Sequence, residues 1–331
     1  MGRPQVLAAR PALGEPALID FRYHLVSLVA VFMALATGIL VGTSLLNQSL
    51  IDSQRSTIAS FAGEKDTLRH DLAAAQAQVD YRDDYLTALH DTLLTGRLIG
   101  HRVVLITLPG SGRKDVDSLA RTLQDAGAQV AGRIDVNSDF FAGAEQSDGA
   151  GKAMLRDQAV RSYGLADVTG RTAEAQLAGA LVSRTPRTLD SAAAALVTEL
   201  DRDGLIGREQ LSDRGDLAVL VTGGPSAKPQ PADERVIAGS VKLAAALEAA
   251  GDGAVVAGPW AAALGGPLQA VRRDGTVSSV VSTVDGTDTP FGQIAVAYAL
   301  VEQLAGGSGQ YGGADSSDAP LPQFRAPTAK K

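Results

Sequence analysis

The chain has 331 residues, a formal net charge of −7 and no cysteine. The acidic balance argues against nucleic-acid binding, which needs a basic surface to displace counterions from phosphates, and the missing cysteines exclude disulfides, thiolate metal sites and a cysteine nucleophile. The length leaves room for a membrane anchor followed by one or two folded domains.

Residues 23–51 contain no Asp, Glu, Lys or Arg. The centre of this stretch, residues 25–46, would span about 33 Å as a helix, which matches the roughly 30 Å hydrocarbon core of a bilayer. We therefore predict a transmembrane signal-anchor helix over residues 23–51, after an N-terminal tail of residues 1–22. A cleaved signal peptide is the alternative, because Ala34-Leu35-Ala36 resembles a cleavage site, but the apolar run continues to Leu46 and favours an anchor.

Basic residues do not orient this helix, because they lie on both sides of it. Arg3, Arg10 and Arg22 precede the apolar stretch, and Arg55, Lys65 and Arg69 follow it. A short N-terminal tail before a long body is the usual layout of a signal anchor. We therefore predict the tail inside the cytoplasm and the body outside it.

Small residues recur every four positions in the anchor, at Ala30, Ala34, Gly38 and Gly42. The last two form a GxxxG motif, and such small side chains let two helix backbones approach closely in lipid. We predict helix–helix packing at these positions, although alanine and glycine are also common in membrane helices that do not pair.

A heptad repeat starts at Ile51 and predicts a coiled-coil stalk over residues 52–97 that forms a homodimer. Lys65 and Arg82 interrupt the seam, which indicates a dynamic coiled coil. An amphipathic helix that packs on its own domain is the alternative. The large apolar seam residues are Ile51, Ile58, Phe61, Leu68, Leu72, Val79, Leu86, Leu89 and Leu93.

Residues 98–305 alternate apolar, β-branched runs with amphipathic stretches, which predicts an α/β domain with a mostly parallel sheet flanked by helices. The predicted strands are residues 102–108, 128–134, 216–222, 253–257 and 277–281. The predicted helices are residues 115–126, 233–250 and 290–304, with residues 150–212 mostly helical. The Gly-, Ser-, Ala- and Pro-rich residues 306–331 are predicted to be disordered.

Candidate catalytic groups are sparse. Gly110-Ser111-Gly112 lies between a strand and a helix, as in a dinucleotide-binding loop, but Asp115 replaces the third glycine and its carboxylate would lie where a phosphate binds. An ordinary turn is the favoured interpretation. Among the histidines only His101 borders the domain, and no G-x-S-x-G motif occurs. We predict that the protein is not an enzyme.

A faint calcium-like pattern occurs near the end of the domain, where Asp285 and Asp288 flank Gly286. Capping of the following helix is the favoured role of these carboxylates, with Thr289 as its N-cap and Pro290 in its first turn.

Several segments resemble the mycobacterial copper transport outer-membrane protein family of the MctB type. They are FRYHLVSLVAVF at residues 21–32, GILVG at residues 38–42, residues 103–108 and 220–224, and STVDG at residues 282–286 running on to Gly307 and Tyr311. The resemblance implies an actinobacterial envelope protein in the outer membrane that keeps intracellular copper low and forms a channel. It identifies no metal ligands by position.

The residues themselves leave the copper ligands unknown. Cu(I) prefers thiolate and thioether ligands and Cu(II) prefers imidazole, yet the chain has no cysteine, three methionines and four histidines. We predict no cofactor, with copper as a transported ion. The alternative to copper transport is a dimeric, membrane-anchored scaffold or ligand-binding accessory protein that binds envelope protein partners and does not transport.

Overall fold

The computed structural model describes residues 17–143, 149–166, 168, 170–185 and 188–323, with residues 17–20 and 43–51 described only as backbone. The chain divides into two compact units, residues 1–78 and residues 79–331. Most of the predicted N-terminal tail and residues 324–331 of the predicted disordered segment lie outside the described residues. Helix α1, Ala17–Leu94, begins in the first unit and ends in the second.

In the first unit the described residues belong to α1. The absence of proline from residues 17–108 lets the helix continue without a break. Within it, Phe21–Gly42 is 22 residues long, with a mean hydropathy of 2.5 and none of its residues buried. This segment is long and apolar enough to cross a membrane, and it lies where the anchor was predicted.

The second unit contains a seven-stranded sheet. Its strands are β1 (Arg102–Thr107), β2 (Gln129–Val136), β3 (Ile206–Glu209), β4 (Leu217–Val221), β5 (Gly253–Ala257), β6 (Ser282–Val284) and β7 (Gln310–Tyr311). They lie in the order β3-β2-β1-β4-β5-β6-β7, and each neighbouring pair is parallel except β2 and β3, which are antiparallel. The predicted fold class is confirmed.

Helices cover both faces of this sheet. They are α2 (Arg113–Asp125), α3 (Ala150–Tyr163), α4 (Ala173–Leu181), α5 (Ser191–Arg202), α6 (Pro231–Ala250), α7 (Pro267–Arg273) and α8 (Pro290–Leu304), with short 3-10 helices at Ser138–Phe141 and Trp260–Leu264. Alternate strand residues belong to different cores: Val104 and Ile106 pack with α4 to α7, and Val103 and Leu105 pack with α2 and α8. Burial on both faces explains the continuous apolar runs of the central strands.

The last turns of α1 pack within the second unit, whereas the predicted boundary between stalk and domain lies at residues 97 and 98. Leu94 and Leu98 are fully buried. The hydroxyl of Tyr298 donates a hydrogen bond to the carbonyl of Leu93 at 2.9 Å, and the Arg97 guanidinium lies 5.3 Å from the centre of the Tyr298 ring. Helix α8 therefore holds the C-terminal end of α1 through both apolar and polar contacts.

One prediction inside the domain is incomplete and another is wrong. Residues 150–212 contain α3, α4 and α5, in agreement with the predicted mostly helical region, but they also contain β3, the antiparallel edge strand, which was not predicted. Residues 277–280 form turns and Val281 a bend, and β6 begins only at Ser282. The carboxylate of Asp274 accepts hydrogen bonds from the backbone N–H groups of Thr276 and Val277, both at 3.1 Å, and this side-chain interaction favours a turn over an extended strand.

The prediction of disorder from residue 306 is wrong for residues 306–323. Residues 307–319, which we call the C-terminal strap, add β7 to the sheet. Within the strap, Gly312 N–H donates to the carbonyl of Ala319 at 3.1 Å. Asp285, which follows β6, donates its N–H to the carbonyl of Tyr311 in the strap at 3.1 Å. A composition typical of disorder is overridden here by pairing with an existing sheet edge.

Candidate functional site

The sheet contains a topological switch point between β1 and β4. From β1 the chain passes through α2 to β2 on one side, and from β4 it passes through α6 to β5 on the other. The loops after β1 and β4 therefore diverge and leave a crevice at the carboxyl ends of the strands. Open parallel sheets bind their ligands at such a crevice.

A cavity of about 520 Å³ occupies this crevice. Its volume is in the range of small-molecule sites. Its lining is mostly apolar and consists of Pro109, Gly110, Ser138, Gly224, Pro225, Ser226, Pro229, Asp233, Val236, Ile237, Gly266 and Pro267. We take this cavity, called the switch-point crevice below, as the candidate functional site.

The β1–α2 turn is closed by its own backbone. Gly110 has φ +88°, which favours glycine, and a Cβ at Gly223 would lie 2.3 Å from the carbonyl oxygen of Gly110. The hydroxyl of Ser111 lies 2.6 Å from the carbonyl oxygen of Leu108 and 2.9 Å from that of Val221. Because these carbonyls engage the hydroxyl, the turn is a structural connection between β1 and β4.

Carboxylates lie at the N-termini of both helices that start from the crevice. A Cβ at Gly112, the N-cap of α2, would lie 2.7 Å from Oδ2 of Asp115. At α6, Oδ2 of Asp233 accepts a hydrogen bond from the N–H of Gln230, the N-cap residue, at 2.8 Å. Negative side chains at these positions compensate the positive ends of the helix dipoles. The geometry supports the interpretation of Gly110-Ser111-Gly112 as an ordinary turn.

A polar cluster lines a second cavity of about 480 Å³ beside the crevice. The Thr107 hydroxyl donates to Oδ1 of Asp135, and Arg133 Nε donates to the same oxygen at 2.8 Å. Arg133 Nη1 also lies 3.4 Å from Asp117. These side chains bond to one another across β1, β2 and α2, so they join these three elements structurally.

His101, the histidine that borders the domain, lies at the other end of the strands, just before β1. Its Nδ1 is 2.6 Å from Oδ2 of Asp216, and Oδ1 of Asp216 accepts the backbone N–H of Arg102 at 2.6 Å. Both residues precede their strands, β1 and β4, so the pair sits at the amino ends and outside the crevice. It links two central strands and does not complete a catalytic triad in the crevice.

A buried ion pair lies beside the C-terminal strap, and sequence reasoning missed it. Arg272 Nη2 is 3.0 Å from Oδ2 of Asp285. Burial lowers the pKa of Arg272, and the charge of Asp285 opposes that shift. Asp285 also accepts the N–H of Gly313 and the hydroxyl of Ser317, both at 2.9 Å. Asp285, which lies in the STVDG segment, was singled out from the sequence, but no local sequence pattern indicated Arg272 as its partner.

The predicted capping role is wrong for both Asp285 and Asp288, and Thr289 caps the N-terminus of α8. The Thr289 hydroxyl accepts the N–H of Gly292 at 3.3 Å, as its predicted N-cap role requires. Asp288 instead accepts the N–H of Trp260 at 3.2 Å. Among the described residues no group of three or more His, Cys, Asp or Glu side chains could hold a metal ion.

The residues predicted to pack between membrane helices lie on α1 and face open space. Ala30 and Ala34 are exposed, and a Cβ at Gly38 or Gly42 would meet nothing within 4 Å. Their role in helix packing stays a prediction.

The exposure of the predicted coiled-coil seam residues changes along α1. Ile58, Phe61, Leu68 and Leu72 are 63–70% exposed, whereas Leu86 and Leu93 pack against the core of the second unit and Leu89 is half-buried. The Ile51 side chain lies outside the described residues. The contacts of Leu86 and Leu93 follow the alternative in which α1 packs on its own domain, and pairing through the rest of the seam stays a prediction.

Comparison with known proteins gives a consistent result. The family model described as "Copper transport outer membrane protein, MctB" matches residues 18–322. The protein named "Copper transporter MctB" from Mycobacterium tuberculosis (strain ATCC 25618 / H37Rv) is 27% identical over 308 residues, which covers 89% of this chain and 96% of the relative. The protein of the same name from Mycobacterium leprae (strain TN) is 27% identical over 321 residues, with the same coverage.

Proposed function

The chain belongs to the family of copper transport outer membrane proteins of the MctB type, and from this membership we propose that it acts in copper transport at the cell envelope. The match over residues 18–322 carries the proposal, because it includes both the apolar segment and the α/β domain. The relatives are named as copper transporters, which supports a transport role and a protein that is not an enzyme.

We propose that the apolar segment Phe21–Gly42 anchors the protein in the membrane and that the second unit lies outside the cytoplasm. The segment's length and hydropathy support an anchor. The family description supports the outer membrane as its place. In this arrangement copper is the substrate, and α1 is the part of the chain in contact with lipid.

We propose that the α/β domain is an accessory domain for transport. A copper site needs several soft or imidazole ligands converging on one point, and within the described residues no such cluster occurs. The domain instead offers an apolar crevice, which suits an organic ligand or a partner segment.

A channel would have to form by association of Phe21–Gly42 helices, with Ala30, Ala34, Gly38 and Gly42 at their contacts.

A second candidate function is a dimeric, membrane-anchored scaffold without transport. The exposed apolar residues Ile58, Phe61, Leu68 and Leu72 of α1 favour it, because an uncovered seam of this kind is typical of a helix that pairs with another copy. Envelope proteins bound by the α/β domain would be its partners.

Two measurements test copper transport and separate it from the scaffold. Cells lacking the protein should accumulate more copper than the parent strain at equal external copper, and a plasmid copy should reverse this. Proteoliposomes with the purified full chain and a Cu(I)-loaded lumen should then release copper to an external chelator faster than empty liposomes. A cellular effect without release supports the scaffold, and normal copper in the deletion strain overturns both roles in copper handling.

A further inference from the structure

We propose that the switch-point crevice binds a small, uncharged, largely apolar molecule and excludes anionic ligands such as nucleotides and phosphates. This inference goes beyond copper transport and does not depend on it. It is drawn from the chemistry of the crevice walls and from the carboxylates at the N-termini of the two helices that follow β1 and β4.

The lining of the crevice offers an apolar surface with few polar groups. Four of its residues are prolines, and Val236 and Ile237 add aliphatic side chains from the first turns of α6. The hydroxyls of Ser138 and Ser226 are its uncharged polar side chains. Small-molecule sites are built this way, with apolar walls for affinity and a few polar groups for orientation.

The walls of the crevice are preformed. A Cβ at Gly224 would lie 2.8 Å from Cβ of Ala261, and a Cβ at Gly265 would lie 3.3 Å from Cβ of Pro225. The loops after β4 and β5 therefore pack tightly on each other. Prolines fix the backbone φ angle on both loops, so little conformational entropy is lost when a ligand binds.

The charges of the crevice exclude anions. In other doubly wound folds a phosphate binds at the N-terminus of the helix after β1, where free N–H groups and the helix dipole attract it. Here the carboxylate of Asp115 lies at that position in α2, and Asp233 holds the same position in α6. Asp233 is also the one charged side chain among the lining residues. An anion in the crevice would meet the carboxylate of Asp233 and no cation among the lining residues, while Asp115 occupies the N-terminus of α2, where a phosphate would otherwise bind.

The test compares two probes of equal shape and different charge, 4-fluorobenzamide and 4-fluorobenzoate. Fluorine NMR line broadening is measured with the full chain in lipid nanodiscs, and empty nanodiscs give the background. We expect 4-fluorobenzamide to bind at least about tenfold more tightly than 4-fluorobenzoate, and inorganic phosphate to leave its binding unchanged. Equal or tighter binding of 4-fluorobenzoate, or no broadening above the background, overturns the proposal.

Adjacent positions on α6 supply the location control. Ile237 lines the crevice, and Ala238 lies on the exposed face of the same helix. Ile237→Trp should reduce 4-fluorobenzamide binding at least fivefold, and Ala238→Trp should leave it unchanged. Equal binding by both variants overturns the assignment to the crevice.

Asp233→Asn tests the charge argument without filling the cavity. Asparagine keeps a side-chain oxygen that can accept the Gln230 N–H, so the start of α6 is retained. We expect Asp233→Asn to bind 4-fluorobenzoate more tightly, so that the ratio of the affinities for 4-fluorobenzamide and 4-fluorobenzoate falls at least threefold. An unchanged affinity ratio overturns the role of this carboxylate in excluding anions, whatever the result with Ile237→Trp.

Discussion

The guanidinium of Arg272 and the carboxylate of Asp285 form an ion pair in which the side chains are 3% and 0% exposed. Arg272 also donates to the carbonyl of Tyr311 at 2.7 Å and to the hydroxyl of Ser316 at 2.8 Å. Both members thus bond to the C-terminal strap as well as to each other. The strap is held by charge-assisted hydrogen bonds that lie beneath it, which explains why a polar segment is ordered.

Removal of one member of this pair should strongly destabilise the protein. Arg272→Met leaves the Asp285 carboxylate buried without its counter-charge, and breaking buried pairs in this way costs about 3–5 kcal/mol. The measurement is urea unfolding of the full chain in detergent, followed by fluorescence of Trp260. This tryptophan is the single one in the sequence and lies against Gly313 of the strap.

The adjacent, exposed Arg273 supplies the matched control, and Arg273→Met should change stability by less than about 0.5 kcal/mol. The double variant Arg272→Met, Asp285→Leu should recover part of the loss, because no charge remains buried. If Arg272→Met is as stable as Arg273→Met, the ion pair does not hold the strap.

Two glycines of the C-terminal segment should respond differently to alanine. Gly306 and Gly312 both have positive φ, at +78° and +132°, but a Cβ at Gly306 meets nothing within 4 Å, whereas one at Gly312 would lie 2.2 Å from Cγ of Asp285. Gly306→Ala should therefore cost only backbone strain, about 1 kcal/mol. Gly312→Ala should cost clearly more, because the strap must move off the ion pair.

Limited proteolysis of the full chain, together with its urea midpoint, measures this difference. Gly312→Ala should increase cleavage within residues 307–323 and lower the midpoint, and Gly306→Ala should leave the cleavage pattern close to that of the parent protein. Equal effects of the two substitutions would show that contact with Asp285 does not fix the path of the strap.

The parts of the fold that sequence predicted are those with local signals. β5 and α8 have the predicted bounds because a short apolar run, and a Thr-Pro helix start, are each complete within a few residues. The missed parts depend on distant partners. β3 is a four-residue strand that exists because β2 offers an edge, and the strap is ordered because Arg272 and Asp285 lie beneath it.

The candidate site was predictable only in part. The sequence indicated that Asp115 would lie where a phosphate binds, and the structure supports this local inference. The crevice itself depends on the order of the strands, because α6 and the loop after β5 reach it only once β4 lies beside β1. No spacing within the sequence reports that Pro109 and Ile237 line one cavity.

Glu248 gives the domain a pH dependence of known sign. Burial raises its pKa above its ordinary value of 4.5, with the hydrogen bond from Ala254 N–H and the charge of Arg184 opposing the shift. The folded state therefore favours the protonated form. Its contribution to stability is full below about pH 4.5 and is lost as pH rises through the raised pKa.

Glu248→Gln should reduce this loss, because glutamine does not titrate and its amide oxygen can still accept the Ala254 N–H, which lies 2.7 Å from Oε2. The urea midpoint is measured between pH 4 and pH 7 for both proteins. Glu234 is exposed on the same helix, and the control variant Glu234→Gln should show the same change of urea midpoint with pH as the parent protein. If Glu248→Gln leaves the change of the urea midpoint with pH unaltered, Glu248 is not the source of this pH dependence.

Pairing of two chains through the exposed part of α1 is the last prediction. Phe61 and Leu68 are 63% and 68% exposed, and they occupy the same seam of the heptad repeat. A charged side chain at each would be buried against its counterpart in a coiled coil, so Phe61→Glu, Leu68→Glu should weaken the dimer at least tenfold. Light scattering of the full chain in detergent measures its mass, and Ala77→Glu, outside the seam, should leave the dimer intact. A parent protein that is monomeric at micromolar concentration, or a double variant that remains dimeric, would contradict pairing through this seam.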